Sequence, residues 1–408
     1  MDMFPTRISF DQARTIIERV AQAHRMPVER IALARAHGHI LAREVIAGIA
    51  QPPFDNSAMD GFALRHADLG GEAGITLQLV GEQFAGPTLE LGVGAGQCVR
   101  ITTGAPLPAG ADTVVMKENT RLEGDRVVIL AAPKPGQHVR RAGEDSRAGE
   151  RVLEAGDTLT PARIALASSQ GLAELEVARR PTVAVFTTGD ELVEPGLPLE
   201  PGQIYNSNRE QLMGLLRADG LEPVAWPTLP DDPAQVESAL RHAGNAFDVV
   251  LTCGAVSAGE KDHIPALLQA QGDVHFWKVR MKPGMPVLFA SGGSLGDALF
   301  LCLPGNPVSV LATYLALGRP LLDRMQGRAA PRPQWHARLA APWNKVHERL
   351  EFLRGRLRSC ADGSLEVEPN PADGSHRMRA AADSDALIVL GEGAREYPAG
   401  AVVDVLPY

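Results

Sequence analysis

Thr182-Val183-Ala184-Val185-Phe186-Thr187-Thr188-Gly189-Asp190-Glu191 is an almost continuous apolar run that stops in a glycine turn carrying two acids. A half-buried strand alternates apolar and polar side chains, whereas a run apolar throughout belongs inside a sheet covered on both faces. Downstream, Leu212, Leu215 and Leu216 share one helical face, and residues 221–226 read as a second strand. Asp232-Pro233-Ala234-Gln235 then opens a helix, with Asp232 as its cap and Pro233 in its first position. Residues 247–252 form a third strand, and Leu299–Leu303 another. Strands that alternate with helices predict a doubly wound, parallel α/β domain over residues 179–326.

On either side the pattern changes. Ser9 and Gln12 form a Ser-x-x-Gln capping box, and Ala13, Ile16, Ile17 and Val20 share one face, which predicts a helix over 9–22. A second helix is expected near 32–42. From about 45 to 135, short runs such as Cys98-Val99-Arg100-Ile101 and Thr113-Val114-Val115-Met116 alternate with Gly and Pro, the signature of a small barrel or sandwich. Residues 136–175 are charged and glycine-containing, and end in a helix over 161–170. Beyond the linker Arg328-Ala329-Ala330-Pro331-Arg332-Pro333, strands over 351–357, 365–367, 386–390 and 401–406 predict a third, all-β core.

The chain has 408 residues, enough for two to four domains at roughly 100–200 residues each. Apolar residues make up 45% and charged residues 22%, which excludes a disordered chain. Lys plus Arg is 40 against 49 Asp plus Glu, a net charge of −9 with no long basic run, which argues against a nucleic-acid binder. The four cysteines, Cys98, Cys253, Cys302 and Cys360, lack metal-ligand spacing and are too few for a disulfide framework. They read as buried thiols in a reducing compartment. The first residues carry an early acid and no signal-like apolar core, and no run approaches the ~20 residues of a membrane span. The expectation is a soluble, cytoplasmic protein without a membrane partner.

In a doubly wound sheet, ligands bind outside the carboxyl ends of the strands. Three segments leave such ends: Thr187-Thr188-Gly189-Asp190-Glu191, then Thr252-Cys253-Gly254-Ala255-Val256-Ser257, then Leu303-Pro304-Gly305-Asn306-Pro307. Gly189, Gly254, Ser257, Gly305 and Asn306 are expected near the phosphates of a ligand, because glycine turns and helix starts present N–H groups to anions. Lys278 and Lys282 lie at a strand end, where they can neutralise an oxyanion. Lys278 is expected on the face shared by Phe276 and Arg280. Acids beside a phosphate site need a cation between them, usually Mg²⁺ with oxygen ligands. Glu191 and Asp262 have no simple structural duty and rank first for that role. Two further segments, Phe54-Asp55-Asn56-Ser57-Ala58-Met59-Asp60-Gly61-Phe62-Ala63-Leu64 and Arg140-Arg141-Ala142-Gly143-Glu144-Asp145, are too rich in special residues for routine loops.

Together these blocks, with RITTGAP (100–106), QIYNSN (203–208), FWKVRMKPGMP (276–286), LPGNPVS (303–309), FLRGR (352–356) and DGSH (373–376), resemble in order the molybdopterin molybdenumtransferase family, the MoeA proteins and the gephyrin E domain. The resemblance implies a molybdopterin-binding, MogA-like α/β domain at 179–326, β-barrel-like domains at 46–139 and 331–408, and an elongated dimerisation region built from 1–45 and 140–178. It implies a homodimer that inserts molybdenum from molybdate into adenylylated molybdopterin and releases AMP with Mg²⁺ as cofactor. Other proteins of molybdenum cofactor assembly are further partners the family invites. Carried over residue by residue, Asp60, Asp145, Glu191, Asp231 and Asp262 are the catalytic candidates, with Glu191, Asp262 and Asp60 on the metal. Thr103, Lys278, Lys282, Pro304, Pro307, Arg354 and Ser375 join the substrate-binding set. Asp60 is expected to reach its site across the dimer interface. One position departs from the family: Ala255 replaces a usual glycine, which matters if that residue needs φ > 0. The alternatives are the preceding step, adenylylation of molybdopterin, which the lone α/β domain would suit, and a gephyrin-like scaffold.

Overall fold

Val183–Thr187 is buried along its whole length because it lies inside a seven-stranded sheet. Across that sheet run Thr6–Ile8, Asp273–Val279, Leu288–Ser291, Leu299–Leu303, Val249–Cys253, Val183–Thr187 and Val224–Ala225. Neighbours are parallel, except that Leu288–Ser291 runs antiparallel to both of its own. Successive side chains then serve opposite cores. Val183, Val185, Leu251 and Leu301 pack with Leu212, Leu216 and Ile17 on one face. Ala184, Phe186, Val250 and Phe300 pack with Val236, Leu240, Ile264 and Leu268 on the other. Each of the Val, Leu, Ile and Phe side chains contributes roughly 1.5–3 kcal/mol by leaving water, which is why the central strands carry no polar alternation. The computed structural model describes residues 4–70, 74–256 and 262–408, and the chain folds into two compact units.

The first unit comprises Met1–Ala42, Gly156–Thr160 and Glu174–Tyr408. Its first helix, Phe10–Ala23, has the full capping box: Gln12 N–H donates to Ser9 Oγ at 3.1 Å and Ser9 N–H to Gln12 Oε1 at 2.9 Å. The second expected helix, near 32–42, is not formed. Val28–Ala32 instead pairs antiparallel with Glu174–Ala178, only a single 3₁₀ turn follows at Leu33–Arg35, and Gly38 at φ +78° turns the chain away from helical geometry. Trp335–Leu339, Leu350–Ser359, Leu365–Pro369, Ala386–Leu390 and Val402–Pro407 close into a five-stranded barrel. Leu339, Leu353, Val367, Ile388 and Val405 fill it. A two-residue parallel ladder, Met281 with Leu350 and Lys282 with Glu351, joins the barrel to the α/β sheet.

The second unit comprises Arg43–Ala155 and Pro161–Ala173. Its six-stranded sheet runs Thr113–Met116, Gly61–Leu64, Gln97–Ile101, Thr76–Gln83, Arg126–Ile129, Thr120–Glu123, over a core of Phe62, Leu64, Leu77, Val115 and Val127. Gly61 is obligatory in this sheet, since a Cβ there would lie 1.8 Å from the Val115 carbonyl oxygen. Among the described residues no helix is long and apolar enough to cross a membrane.

Candidate active site

The strands Val183–Thr187, Val249–Cys253 and Leu299–Leu303 are adjacent and parallel, so the turns that follow them leave one sheet edge together. Thr188 N–H donates to the Cys253 carbonyl and Gly254 N–H to the Leu303 carbonyl, each at 3.1 Å. Gly254, at φ +95°, leaves no room for a side chain: a Cβ would sit 2.7 Å from Thr188 Oγ1. Gly305 differs, since a Cβ there meets only Gly254 Cα, at 3.6 Å. The Gly189, Gly254 and Gly305 turns thus form one continuous backbone surface. Ala255 does adopt positive φ, +48°, so the methyl that replaces the usual glycine is carried in a left-handed conformation. Ser257 lies outside the described residues.

Acids rim this surface. Glu191 is exposed, and its carboxylate folds back over Gly189, at φ +136°, to within 2.5 Å of where a Cβ would be. Only glycine permits that posture. Asp190 Oδ1 accepts the Asp231 N–H at 3.2 Å, which joins two of the strand-end loops. Asp232 caps the helix Pro233–Ala246 through Gln235 N–H at 2.9 Å. Asp262 stands at the start of His263–Gln271 without a capping bond from its side chain. No group of three or more His, Cys, Asp or Glu side chains is preassembled for a metal among the described residues. Mg²⁺ binds through one or two carboxylates completed by substrate phosphates and water rather than in an all-protein cage. An oxygen-only donor set on loops at a phosphate-competent edge fits such an ion.

The third turn and the end of the first strand are held by partners that sequence reasoning did not single out. Asn208 Nδ2 donates to the Gly305 carbonyl at 2.7 Å, and Asn206 Nδ2 to Thr187 Oγ1 at 2.7 Å and Thr228 Oγ1 at 3.1 Å. Their signal in the sequence is the Asn-Ser-Asn run at a helix start, inside the QIYNSN block. Pro304 is buried, Gly305 and Asn306 are exposed, and Pro307 opens the helix Pro307–Thr313. That helix start has less free N–H than expected: Pro307 has none, and the Val308 N–H is taken by the Ser375 carbonyl at 3.1 Å. The bond brings Ser375 of the DGSH block to the LPGNP turn.

Lys282 Nζ lies 3.0 Å from Glu351 Oε1 and 3.3 Å from Asp373 Oδ2. Arg354 is 1% exposed, donates to the Ala372 carbonyl, and has an Nε without a partner. Burial lowers its pKa from the usual guanidinium value. Lys278 departs from its expected face. It sits at φ +69°, so Phe276 and Val279 turn to the same core and the alternation is broken between them. Its ammonium rests on the Trp277 ring, 4.3 Å from the centroid, while Trp277 Nε1 donates to the Val256 carbonyl at 3.0 Å.

Asp60, Thr103 and Asp145 belong to the second unit. Asp60 Oδ1 accepts both the Thr103 N–H, at 2.8 Å, and its hydroxyl, at 2.9 Å. The Thr103 N–H, then its hydroxyl, hold the Asp60 carboxyl below its ordinary range, with lesser help from Lys117 and Arg100. Asp145 is exposed, and its N–H donates to the Gln51 carbonyl at 3.0 Å. The two blocks quoted from this region meet: Asp55 accepts the Ala142 N–H at 2.8 Å and Arg141 Nη1 at 2.6 Å. A separate cavity of about 600 Å³ in the first unit, lined by Phe10, Arg319, Arg332, Trp335 and Phe352, contains none of the candidate residues.

Three family models match the chain in order. The MoeA N-terminal region (domain I and II) matches residues 8–171, a probable molybdopterin binding domain 184–324, and the MoeA C-terminal region (domain IV) 336–408. The molybdopterin molybdenumtransferase of Haemophilus influenzae is 39% identical over 98% of both chains. That of a Nostoc species is 36% identical over 93% of this chain and 88% of its own. This chain belongs to the molybdopterin molybdenumtransferase (MoeA) family. A molybdopterin biosynthesis MoeA protein from Pyrococcus horikoshii, 27% identical, superposes with a TM-score of 0.83 over 98% of this chain and all of its own. Within the family's frame the strand-end turns fall in the molybdopterin-binding match and the closed barrel in the domain IV match.

Proposed function

We infer that this chain is a transferase of molybdenum cofactor biosynthesis, which takes adenylylated molybdopterin and molybdate and releases AMP as molybdenum enters the dithiolene. The observation that carries this reading is the convergence of three glycine-bearing βα turns on one sheet edge in a chain that matches molybdenumtransferases along nearly its whole length. Adenylyl transfer to molybdopterin is less well supported, because the N-terminal and domain IV matches lie outside the α/β domain. A scaffold role has no observation in its favour.

We assign the nucleotide and pterin phosphates to the Gly189, Gly254, Gly305 and Asn306 backbone, with Ser257, Pro304 and Pro307 shaping the turns. Glu191 and Asp262, with Asp60 from the family motif, are proposed to hold Mg²⁺. When bound, that ion supplies a template and Lewis acid for phosphate and oxyanion. Asp231 and Asp145 serve the same chemistry by orienting groups around it, and Thr103 orients Asp60. Lys278, Lys282, Arg354 and Ser375 favour the anionic substrates, since preorganised donors offset the repulsion between molybdate and phosphate. A homodimer in the cytoplasm is the setting we propose, and four free cysteines suit a reducing compartment.

The test follows AMP release and cofactor formation from purified adenylylated molybdopterin, with and without molybdate, over a Mg²⁺ titration. Glu191→Gln preserves shape and removes charge, so it is expected to bind substrate but lose metal-dependent AMP release. A wild-type rate at limiting Mg²⁺ would remove Glu191 from the metal site.

A further inference from the structure

Glu351 is a carboxylate that water hardly reaches: its side chain is 4% exposed. A buried charge survives only when paired and hydrogen-bonded, and three groups meet this one. Lys282 Nζ lies 3.0 Å from Oε1, Trp343 Nε1 donates to Oε2 at 3.4 Å, and His347 Nε2 lies 3.3 Å from Oε1 without a hydrogen bond. His347 and Trp343 belong, like Glu351, to the barrel segment. Lys282 comes from the α/β side, where the strand Met281–Lys282 runs in register beside Leu350–Glu351. The second carboxylate at Lys282, Asp373, is of another kind: it is 56% exposed, at 3.3 Å, in the DGSH segment. Lys345, itself 1% exposed, does not replace Lys282 as partner, because its ammonium donates to the carbonyls of His347 and Gly393.

We propose that Glu351 is a positioning residue for the reaction: it fixes the Lys282 ammonium from the buried side and leaves the exposed side to an incoming oxyanion. The inference rests on the reading above that Lys282 serves an anionic substrate. Lysine is a point charge on a flexible four-carbon stem, and an ammonium has three donors. Two carboxylates occupy at most two of them. The buried one is held by the Trp343 N–H and by burial and stays, whereas the exposed Asp373 exchanges with solvent and yields to a substrate oxygen. Ordering Lys282 before substrate arrives removes that entropy cost from binding. Glu351 itself touches no substrate and acts through Lys282.

The experiment measures AMP release while molybdate is varied, on the full-length protein at saturating adenylylated molybdopterin and Mg²⁺. Lys282→Ala is expected to raise the KM for molybdate by about tenfold or more, and Glu351→Gln by roughly five- to tenfold with kcat within about twofold. The double variant is expected to match Lys282→Ala within about twofold, because a residue that acts through another adds nothing once its partner is gone. Glu351→Asp keeps the charge and is expected to recover part of the loss. Near-UV circular dichroism checks folding. If Glu351→Gln does not fold, Trp343→Phe, which withdraws one support of the carboxylate, is expected to shift the same KM in the same direction. A Glu351→Gln variant with wild-type KM, or a double variant whose effects multiply, overturns the positioning role alone. A wild-type KM in Lys282→Ala overturns the underlying assignment of Lys282 and the inference with it.

Discussion

Ala255 occupies φ +48°, where an L side chain costs roughly 1–2 kcal/mol. Glycine would relieve that strain but forfeits about 0.5–1 kcal/mol through its freer unfolded chain. Ala255→Gly is therefore expected to leave stability unchanged or raise it by up to about 1 kcal/mol, while Ala239→Gly, inside the helix Pro233–Ala246, loses about 1 kcal/mol. Urea denaturation midpoints compare the two, and a clear loss at 255 would mean the strain is absent in solution. The concern about residue 255 could be raised from sequence because a turn glycine has one common reason to exist. Lys278 could not be read the same way, since its φ of +69° arises where one strand must pair with Thr6–Ile8 on one side and Leu288–Ser291 on the other. The cysteines are simpler. Burial pushes the Cys98 and Cys302 thiols up to about 12 and raises Cys253 as well, which removes the reactive thiolate. Alkylation of native protein near neutral pH, read by mass spectrometry, is expected to label Cys360 first and the other three only on unfolding.

The two glycines at the heart of the sheet edge make opposite experiments. Gly254 is a folding residue: φ +95° and a Cβ position 2.7 Å from Thr188 Oγ1 mean that Gly254→Ala is expected to cost about 2–4 kcal/mol through overpacking and backbone strain. Gly305 has space for a methyl, so Gly305→Ala is expected to unfold like the parent, and Gly305→Val to weaken binding of adenylylated molybdopterin. Calorimetric titration checks this, and unchanged affinity in a folded Gly305→Val variant counts against phosphates approaching that turn. Strand ends also predict a loss of stability in acid. Asp248 accepts two bonds from Arg179, at 2.7 and 2.9 Å, and two from Thr182, each at 2.7 Å. Burial alone would raise its pKa, but Arg179 and Thr182 outweigh it and hold the carboxyl below its ordinary value. A depressed pKa contributes stability that is complete above the unfolded value near 3.9 and lost as pH falls through the folded one. Asp248→Asn is thus expected to lose about 1–3 kcal/mol at neutral pH and to converge on the parent in acid, as followed by thermal unfolding across pH. Elements of this kind were legible where the signal is local, as in the Ser9–Gln12 box and the Asp232 cap. The 32–42 segment was not, because Ile40 and Leu41 bridge to Thr158 and Val177, far away in sequence.

At the scale of the whole molecule, the α/β domain could be read from periodicity, but the encounters that build its site could not. Lys282 with Glu351 and Val308 with Ser375 join the α/β sheet to a barrel segment distant in sequence, and no pattern in either stretch announces the other. Self-association belongs to the same scale. Ile46, Ile49 and Phe54 are 44–47% exposed within a short stretch of the second unit. Scattered apolar side chains on a surface need no explanation, but a contiguous apolar patch marks an interaction surface, and these three side chains are the candidates for one. This stretch is also held by distant parts of the chain, with strands as short as Val45–Ile46 against Arg151–Leu153, and small pieces of this kind bury too little surface to be stable alone. A second copy of the chain over this region would bury both deficits at once, since a two-fold interface presents the same patch from each subunit. Light scattering is therefore expected to give a particle of about twice the 43.5 kDa chain mass at micromolar concentration. An Ile46→Asp, Ile49→Asp double variant is expected to shift it toward the monomer, since an unpaired carboxylate buried in such an interface costs several kcal/mol. A 43.5 kDa particle for the parent across that concentration range would rule the homodimer out.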